Sequence, residues 1–419
     1  MGTEKTLVIG MFGFGVVGEG LYKILKQTPS LKASIKKVCI KNTHKKRNAP
    51  AELFTSEKND LLFDPEINVI VEVINDSVAG YEIVTMALKN GKDVVSASKK
   101  MLSEHLQELI ALQNATGRSL LYEASACASI PVIRNLEEYY DNDLLHSIKA
   151  IVNGSTNFIL TKMFEEHLNF KEALLLAQQL GFAESDPTLD IEGFDAANKW
   201  VLLLAHSYGI NTSIDKMLFN GITQINEVDA KIAQSKNQSI KLVAQAQKLN
   251  NGKVATFLLP QFIESSEHLH FVKNEYNGVV IESGFADKQF FYGKGAGSFP
   301  TGSAVLSDIA ALRYGYKYEY KKLNQAVEAE LSDEFHLRVY VSFENIKFIP
   351  KEEFNSIEEW HSGNERIYLI GTIPFRSLLN STWWKSNNTS LILMPQCIVE
   401  ESQISELKKL SLSLAGLES

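Results

Sequence analysis

The chain has 419 residues, too many for one ordinary core, so it must divide into two or three domains. Hydrophobic residues make up 45% and charged residues 22%, and the formal net charge of -8 argues against nucleic-acid binding, which needs a basic surface. Cys39, Cys127 and Cys397 stand far apart and the histidines are scattered, which argues against a zinc site and a disulfide framework and for a reducing, cytoplasmic setting. No basic segment precedes a long apolar core, and no stretch approaches the ~18–20 apolar residues of a membrane span, so neither a signal peptide nor a membrane partner is expected.

Strands and helices alternate in the first third. Residues 6–11 read as a strand, 16–26 as a helix, 35–40 as a second strand and 68–74 as a third. A helix over 81–90 is followed by Gly91, a C-cap residue; 93–97 is the next strand, 102–115 is helical and 119–123 is a further strand. Near-continuous apolar strands separated by helices predict a doubly wound parallel sheet covered on both faces. The middle third reads as strand 148–153, helices 156–167, 170–180 and 195–207, a helical stretch at 240–248, and strands at 254–259, 278–283 and 290–292. This pattern predicts an α+β substrate domain. A glycine-rich turn at 293–297 then leads to a helix near 303–314 that returns to the first domain. Toward the C-terminus, 337–343, 367–372 and 390–394 read as strands and 356–360 and 404–412 as helices, a small α+β module.

Three motifs carry chemistry. Gly13-Phe14-Gly15-Val16-Val17-Gly18 fits G-x-G-x-x-G between a strand and a helix. Gly13 allows the tight turn, Gly15 lets the backbone approach a pyrophosphate, and Gly18 lets helix and strand pack closely. The strand-turn-helix setting favours dinucleotide binding over a plain glycine-rich turn. At the end of the second strand, where an NAD enzyme commonly places an acid, the run is Cys39-Ile40-Lys41-Asn42-Thr43-His44-Lys45-Lys46-Arg47. Its cations favour NADP, with NAD as the alternative; a solvated basic loop is the competing reading.

Lys99 follows Val94-Val95-Ser96-Ala97-Ser98, just past a parallel strand, where ligands bind in doubly wound folds. It orients a carbonyl or serves as an acid there, unless it is an ordinary surface lysine. The densest signal runs from Gly181 to Lys199, with Glu184, Asp186, Asp190, Glu192 and Asp195 crowded into one loop and the start of a helix. Asp195 and Lys199 are four apart and share a helical face. The carboxylates suit a substrate ammonium and the lysine suits proton donation to a carbonyl. Dipole-favouring acids at a helix start and a surface ion pair would give the same spacing.

The stretch from Gly181 to Lys199 resembles the signature of homoserine dehydrogenases: the opening Gly181, Asp186-Pro187, Asp190-Ile191, Gly193, Asp195 and the closing Lys199, with a matching Ala177 ahead of it. Four other segments resemble the family in order: Val94 to Lys99, Glu123-Ala124 through Ile130-Pro131, Asn153-Gly154-Ser155-Thr156-Asn157, and Tyr292 to Gly297 with Pro300-Thr301. The likeness runs from about Leu7 to about Tyr314.

It implies an α/β fold: a Rossmann-type doubly wound parallel sheet over 1–145 with a returning helix near 303–325, a catalytic and dimerisation domain over 146–302, and an ACT-like or divergent α+β module over 330–419. It implies NAD(P)H-dependent reduction of aspartate 4-semialdehyde to L-homoserine, a step toward threonine, methionine and isoleucine, by a monofunctional homodimer or homotetramer. By resemblance, Lys199 donates the proton, Lys99 is a second lysine at the reaction centre, and Asp195 orients substrate and Lys199. Glu184 and Asp190 bind substrate, with Glu184 on its amino group. Gly13, Phe14, Gly15, Val16, Val17, Gly18, Lys41, Asn75, Ser98, Lys99 and Gly297 face the cofactor. Glu123 with the carbonyls of Ala126, Ala128 and Ile130 forms a monovalent-cation site, normally for sodium.

The chain departs from the family at Ser98 (usually Asn), at Ala128-Ser129 (usually two glycines) and at Asn75-Asp76 (often two glycines). The C-terminal module lacks the Pro-Gly turn of an ACT domain, so amino-acid feedback is not expected. Two rivals remain: another amino-acid-pathway dehydrogenase on the same fold, and a dinucleotide-binding sensor without catalysis.

Overall fold

The computed structural model describes residues 6–142, 144–325, 329–344, 349–363, 367–386, 388–401 and 403–404. They form two compact units. The first gathers Met1–Asp143, Asn198–Ser213 and Gly293–Glu328; the second gathers Leu144–Ala197, Ile214–Tyr292 and Ala329–Ser419.

The first unit is built on six parallel strands: β1 (Leu7–Phe12), β2 (Ala33–Cys39), β3 (Phe54–Thr55), β4 (Val69–Glu72), β5 (Asp93–Ser96) and β6 (Leu120–Leu121). Their spatial order, β3-β2-β1-β4-β5-β6, is that of a dinucleotide-binding sheet, with the chain reversing direction across the sheet between β1 and β4. Leu7, Ile9, Met11, Val69, Val71, Val94 and Val95 are fully buried, which is why these strands read as apolar runs rather than alternating ones. The helix after the glycine turn, Val16–Leu25, is covered by the returning helix Ser298–Leu312. The two meet backbone to backbone: a Cβ at Gly20 would stand 2.2 Å from the Ser298 carbonyl oxygen. A buried network fixes the helix Phe194–Tyr208 in this unit. His206 shares hydrogen bonds with Glu137 at 2.5 Å and with the Tyr122 hydroxyl at 2.8 Å, and that hydroxyl meets the Tyr320 hydroxyl at 2.9 Å.

The second unit holds a nine-stranded mixed sheet: β7 (Leu145–Ile151), β8 (Gln238–Lys248), β9 (Val254–Glu264), β10 (Tyr276–Ser283), β11 (Asp287–Lys294), β12 (His336–Phe343), β13 (Ser356–Ser362), β14 (Ile367–Pro374) and β15 (Thr389–Val399). The order is β11-β10-β7-β8-β9-β15-β12-β14-β13. The stretch 240–248, expected as helix, is strand. Its Ala, Gln and Lys residues favour helix intrinsically, but Ile240, Leu242, Ala244 and Ala246 alternate with Lys241, Val243 and Gln245, and pairing with β9 runs its whole length. The second correction is 356–360, also strand: its ladder with β14, bulged between Ile357 and Glu359, and the packing of Trp360 on the Phe343 core override a weak helical pattern. Of the helix expected over 404–412, residues 405–412 lie outside the described residues.

The last four strands are antiparallel in the order β15-β12-β14-β13, the order of a β-α-β-β-α-β unit. They extend the sheet from β9 through the parallel pair Leu393 and Gln261. Leu337, Val339, Val341, Phe343, Leu369, Ile373 and Trp384 share one core with Phe257 of β9. The described part of the link from β12 to β13 carries a 3-10 turn, Lys351–Glu353; the link from β14 to β15 carries the helix Phe375–Asn380.

Candidate active site

In the first unit the three glycines of the turn have different surroundings. Gly13 takes φ +98, and a Cβ there would lie 2.8 Å from the Val73 carbonyl oxygen. A Cβ at Gly18 would lie 2.5 Å from the Gly13 oxygen, so helix and turn touch. Gly15 has nothing within 4 Å of that position and is exposed at the helix start, leaving open the cradle that a pyrophosphate would fill. Phe14 turns its ring inward against Tyr22 and Phe54, Val16 is exposed and Val17 is half-buried. Gly297, at φ +117, caps the returning helix.

Asn75 and Ser98 sit just past β4 and β5, on neighbouring strand ends. Ser98 opens the helix Lys99–Thr116, and Lys99 is its half-buried first residue. Lys41 is not simply offered to a ligand: its ammonium meets the Asp76 carboxylate at 3.0 Å. Asp76 is itself fixed as the N-cap of Ser77–Lys89, and its bond from the Ala79 N–H, with Lys41 second, holds its carboxyl below the usual range. An acid therefore reaches the Lys41 side chain after all, but from the loop after β4, with β1 lying between β4 and β2.

Glu123 is buried, and its two oxygens accept the N–H groups of Ile133 at 2.8 Å and Arg134 at 2.9 Å. The neighbouring Asp308 accepts the Glu123 N–H and the Arg134 guanidinium. Burial, with Asp308 adding to it, pushes the Glu123 carboxyl up to about 8. Ala126 and Ala128 are buried, and the Ile130 carbonyl accepts the Val132 N–H at 2.8 Å. Ala128 takes φ +45 and ψ -105, a glycine-like backbone kept without the glycine. Glu123 and the backbone carbonyls of Ala126, Ala128 and Ile130 are all oxygen donors, the ligand chemistry that a hard monovalent cation takes.

In the second unit the acidic loop is gathered by a residue that sequence reasoning left out of the site. Asn153 follows β7 and N-caps the helix Gly154–Glu165 with its oxygen, which accepts the Thr156 N–H at 2.8 Å. Its amide nitrogen donates to Asp190 at 2.7 Å and to Asp195 at 2.8 Å. One amide thus sets both carboxylates. The Asn-Gly-Ser-Thr-Asn turn was noted as a family likeness, yet only contact across the fold reveals this role. Glu184 is exposed, and its carbonyl accepts from Gln178 at 3.0 Å. Asp186 caps its own loop by accepting the Thr188 N–H and hydroxyl, a structural duty that holds its carboxyl down.

Asp195 and Lys199 lie one turn apart on Phe194–Tyr208 and are 7% and 8% exposed, so the surface ion-pair reading fails. Within the first unit, Ser103 donates to Asn198 at 2.5 Å. That bond joins the helix begun by Lys99 to the helix carrying Lys199, and neither partner carried a sequence signal.

A family model described as the NAD binding domain of homoserine dehydrogenase matches residues 13–123, and one described as homoserine dehydrogenase matches 131–310. The homoserine dehydrogenase of Bacillus subtilis is 36% identical over 74% of this chain and 73% of its own length. That of Helicobacter pylori is 31% identical over 97% of this chain and 96% of its own. The crystal structure of a homoserine dehydrogenase from Thiobacillus denitrificans superposes with a TM-score of 0.81 at 26% identity, covering 93% of this chain and 98% of that one. With the dinucleotide sheet, the glycine cradle and the acid-lysine helix in place, the chain belongs to the homoserine dehydrogenase family, oxidoreductases that interconvert aspartate 4-semialdehyde and homoserine with a nicotinamide dinucleotide.

Proposed function

We propose that Lys199 is the proton donor to the aldehyde oxygen of aspartate 4-semialdehyde, with Lys99 as the second cation at the reacting carbonyl. The observation that carries this reading is the burial of Asp195 and Lys199 one turn apart on a single helix. A bound nicotinamide dinucleotide supplies the hydride. Negative charge then grows on the carbonyl oxygen, and a lysine ammonium in a water-poor setting meets that charge at little reorganisation cost. Asp195, oriented by Asn153, holds the substrate and Lys199 in register. Asp190, turned by the same amide, and Glu184 on its loop take the substrate ammonium.

On the cofactor side, Gly13, Gly15 and Gly18 receive the pyrophosphate and Lys41 the 2′-phosphate, which favours NADPH over NADH. Glu123 with the carbonyls of Ala126, Ala128 and Ile130 holds sodium as a structural ion. The working enzyme is a cytoplasmic homodimer or homotetramer. The deciding experiment gives the purified protein aspartate semialdehyde with NADPH or NADH and follows cofactor oxidation, for the parent chain and for Lys199→Ala. Lys199→Ala should lose roughly 10²–10⁴ in kcat with its Tm kept. A near-parent kcat in that variant removes Lys199 from the mechanism.

A further inference from the structure

β4 ends in an acid where an apolar residue would serve the sheet better. Glu72 is fully buried, beside Val71 and under the helix Ser77–Lys89, and burial pushes its carboxyl up to about 7. A charge that cannot reach solvent costs stability unless its oxygens are used. Both are. One accepts the Ile74 N–H at 2.9 Å, and the other accepts the Ser96 hydroxyl at 2.5 Å. The Ser96 oxygen in turn accepts the Ser98 N–H at 3.1 Å. The Glu72 backbone carbonyl accepts the Ala97 N–H at 3.1 Å. The side chain thus fastens two neighbouring strand ends: the one that leads into Asn75, and the one whose next turn begins with Ser98 and Lys99.

We infer that Glu72 is a positioning residue of the reaction, acting through Ser96 and the Ser98 N–H to set the start of the helix that carries Lys99. The inference rests on the role given above to Lys99. Glu72 touches no substrate; it fixes the backbone from which the reacting group leaves. Small displacements of such a group are costly, roughly 10²-fold for 1 Å.

The test is a double-mutant cycle in the full-length enzyme, with kcat as the readout and Tm measured alongside. Ser96→Ala cuts the tie to Ser98 and leaves Glu72 on Ile74. It should lower kcat roughly 10-fold. Glu72→Gln keeps an acceptor for Ile74 but gives the Ser96 proton no acceptor, so it should fall to the same level, and the two together should cost no more than either alone. In a Lys99→Ala background, Ser96→Ala should change kcat less than about twofold. Equal loss in both backgrounds would mean that the network serves only the fold, and the inference fails while Lys99 keeps its role. Near-parent kcat for Lys99→Ala alone would overturn the reading of Lys99 and this route with it. If Glu72→Gln does not fold, the Ser96 cycle decides by itself.

Discussion

Glu123 and Asp308 in the first unit, and Asp190 and Asp195 in the second, are pairs of acids held by unlike means. The first pair is met by backbone N–H groups and by the Arg134 guanidinium. The second pair shares the neutral amide of Asn153, which gives one hydrogen to each carboxylate and cancels no charge. A hydrogen bond from a neutral donor orients an acid without neutralising it, whereas the Arg134 guanidinium does both for Asp308, so the two pairs differ in what these hydrogen bonds supply. Asp76 is a third case, pinned as a helix cap and faced by the exposed ammonium of Lys41.

The sharpest break of this contrast is at the shared amide. Asn153→Ala should lower kcat roughly 10–10²-fold, since both carboxylates lose their orientation, and should also cost about 1 kcal/mol for the lost helix cap. Steady-state kinetics read the first effect and denaturant titration the second. A variant with lowered stability and unchanged kcat would reduce Asn153 to a cap.

The next largest effect belongs to Asp76 and Lys41. Lys41→Ala should raise the KM for NADPH about tenfold and leave NADH nearly unchanged, because a charge-assisted contact worth about 1.5 kcal/mol is lost to one cofactor only. Asp76→Asn should shift preference further toward NADPH by releasing Lys41. Equal losses with both cofactors in Lys41→Ala would place the residue in the fold.

The smallest effect separates the framework acids by pH. Burial raises the folded-state carboxyls of Glu123 to about 8, Glu72 to about 7 and Asp308 to about 6, above their values of 4.5, 4.5 and 3.8. The folded state therefore holds these protons more tightly than the unfolded chain, and the stability they lend is full at low pH and declines as pH rises from 3.8 to about 8. The Tm should fall across that window by roughly 2–4 °C for each kcal/mol lost. Glu123→Gln should flatten the upper part of the decline, and sodium should raise Tm above pH 7 in the parent chain only. A pH profile unchanged by Glu123→Gln would show that Glu123 does not titrate there.

What could be read from the sequence was what depends on near neighbours. Five of the six strands of the first unit could be read, the buried ones as apolar runs, and Gly13, Gly15 and Gly18 stood out by their spacing between strand and helix; the two-residue β3, Phe54–Thr55, is too short to carry a pattern. Lys199 and Asp195 were visible because they are four residues apart on one helix. The partners that set them were not: Asn153 reaches Asp195 across 42 positions, Ser103 reaches Asn198 across 95, and Asp76 reaches Lys41 across 35. Ala128 hid its left-handed backbone because no glycine marked it. The strand Gln238–Lys248 was missed because helix-favouring residues fill a stretch that only its neighbour β9 makes extended.

The close crossing of Val16–Leu25 and Ser298–Leu312 also sets an order of assembly. The Ser298 hydroxyl reaches the Val16 carbonyl across 282 positions, and the glycine contact beside it brings the two helices together backbone to backbone. At roughly 5–20 residues per second, a ribosome makes the cradle first and its cover on the order of tens of seconds later. During that interval the face of the first helix that Gly20 and Ile24 present to the returning helix is uncovered. The dinucleotide-binding unit is thus opened before the middle of the chain is made and closed only after that middle has emerged.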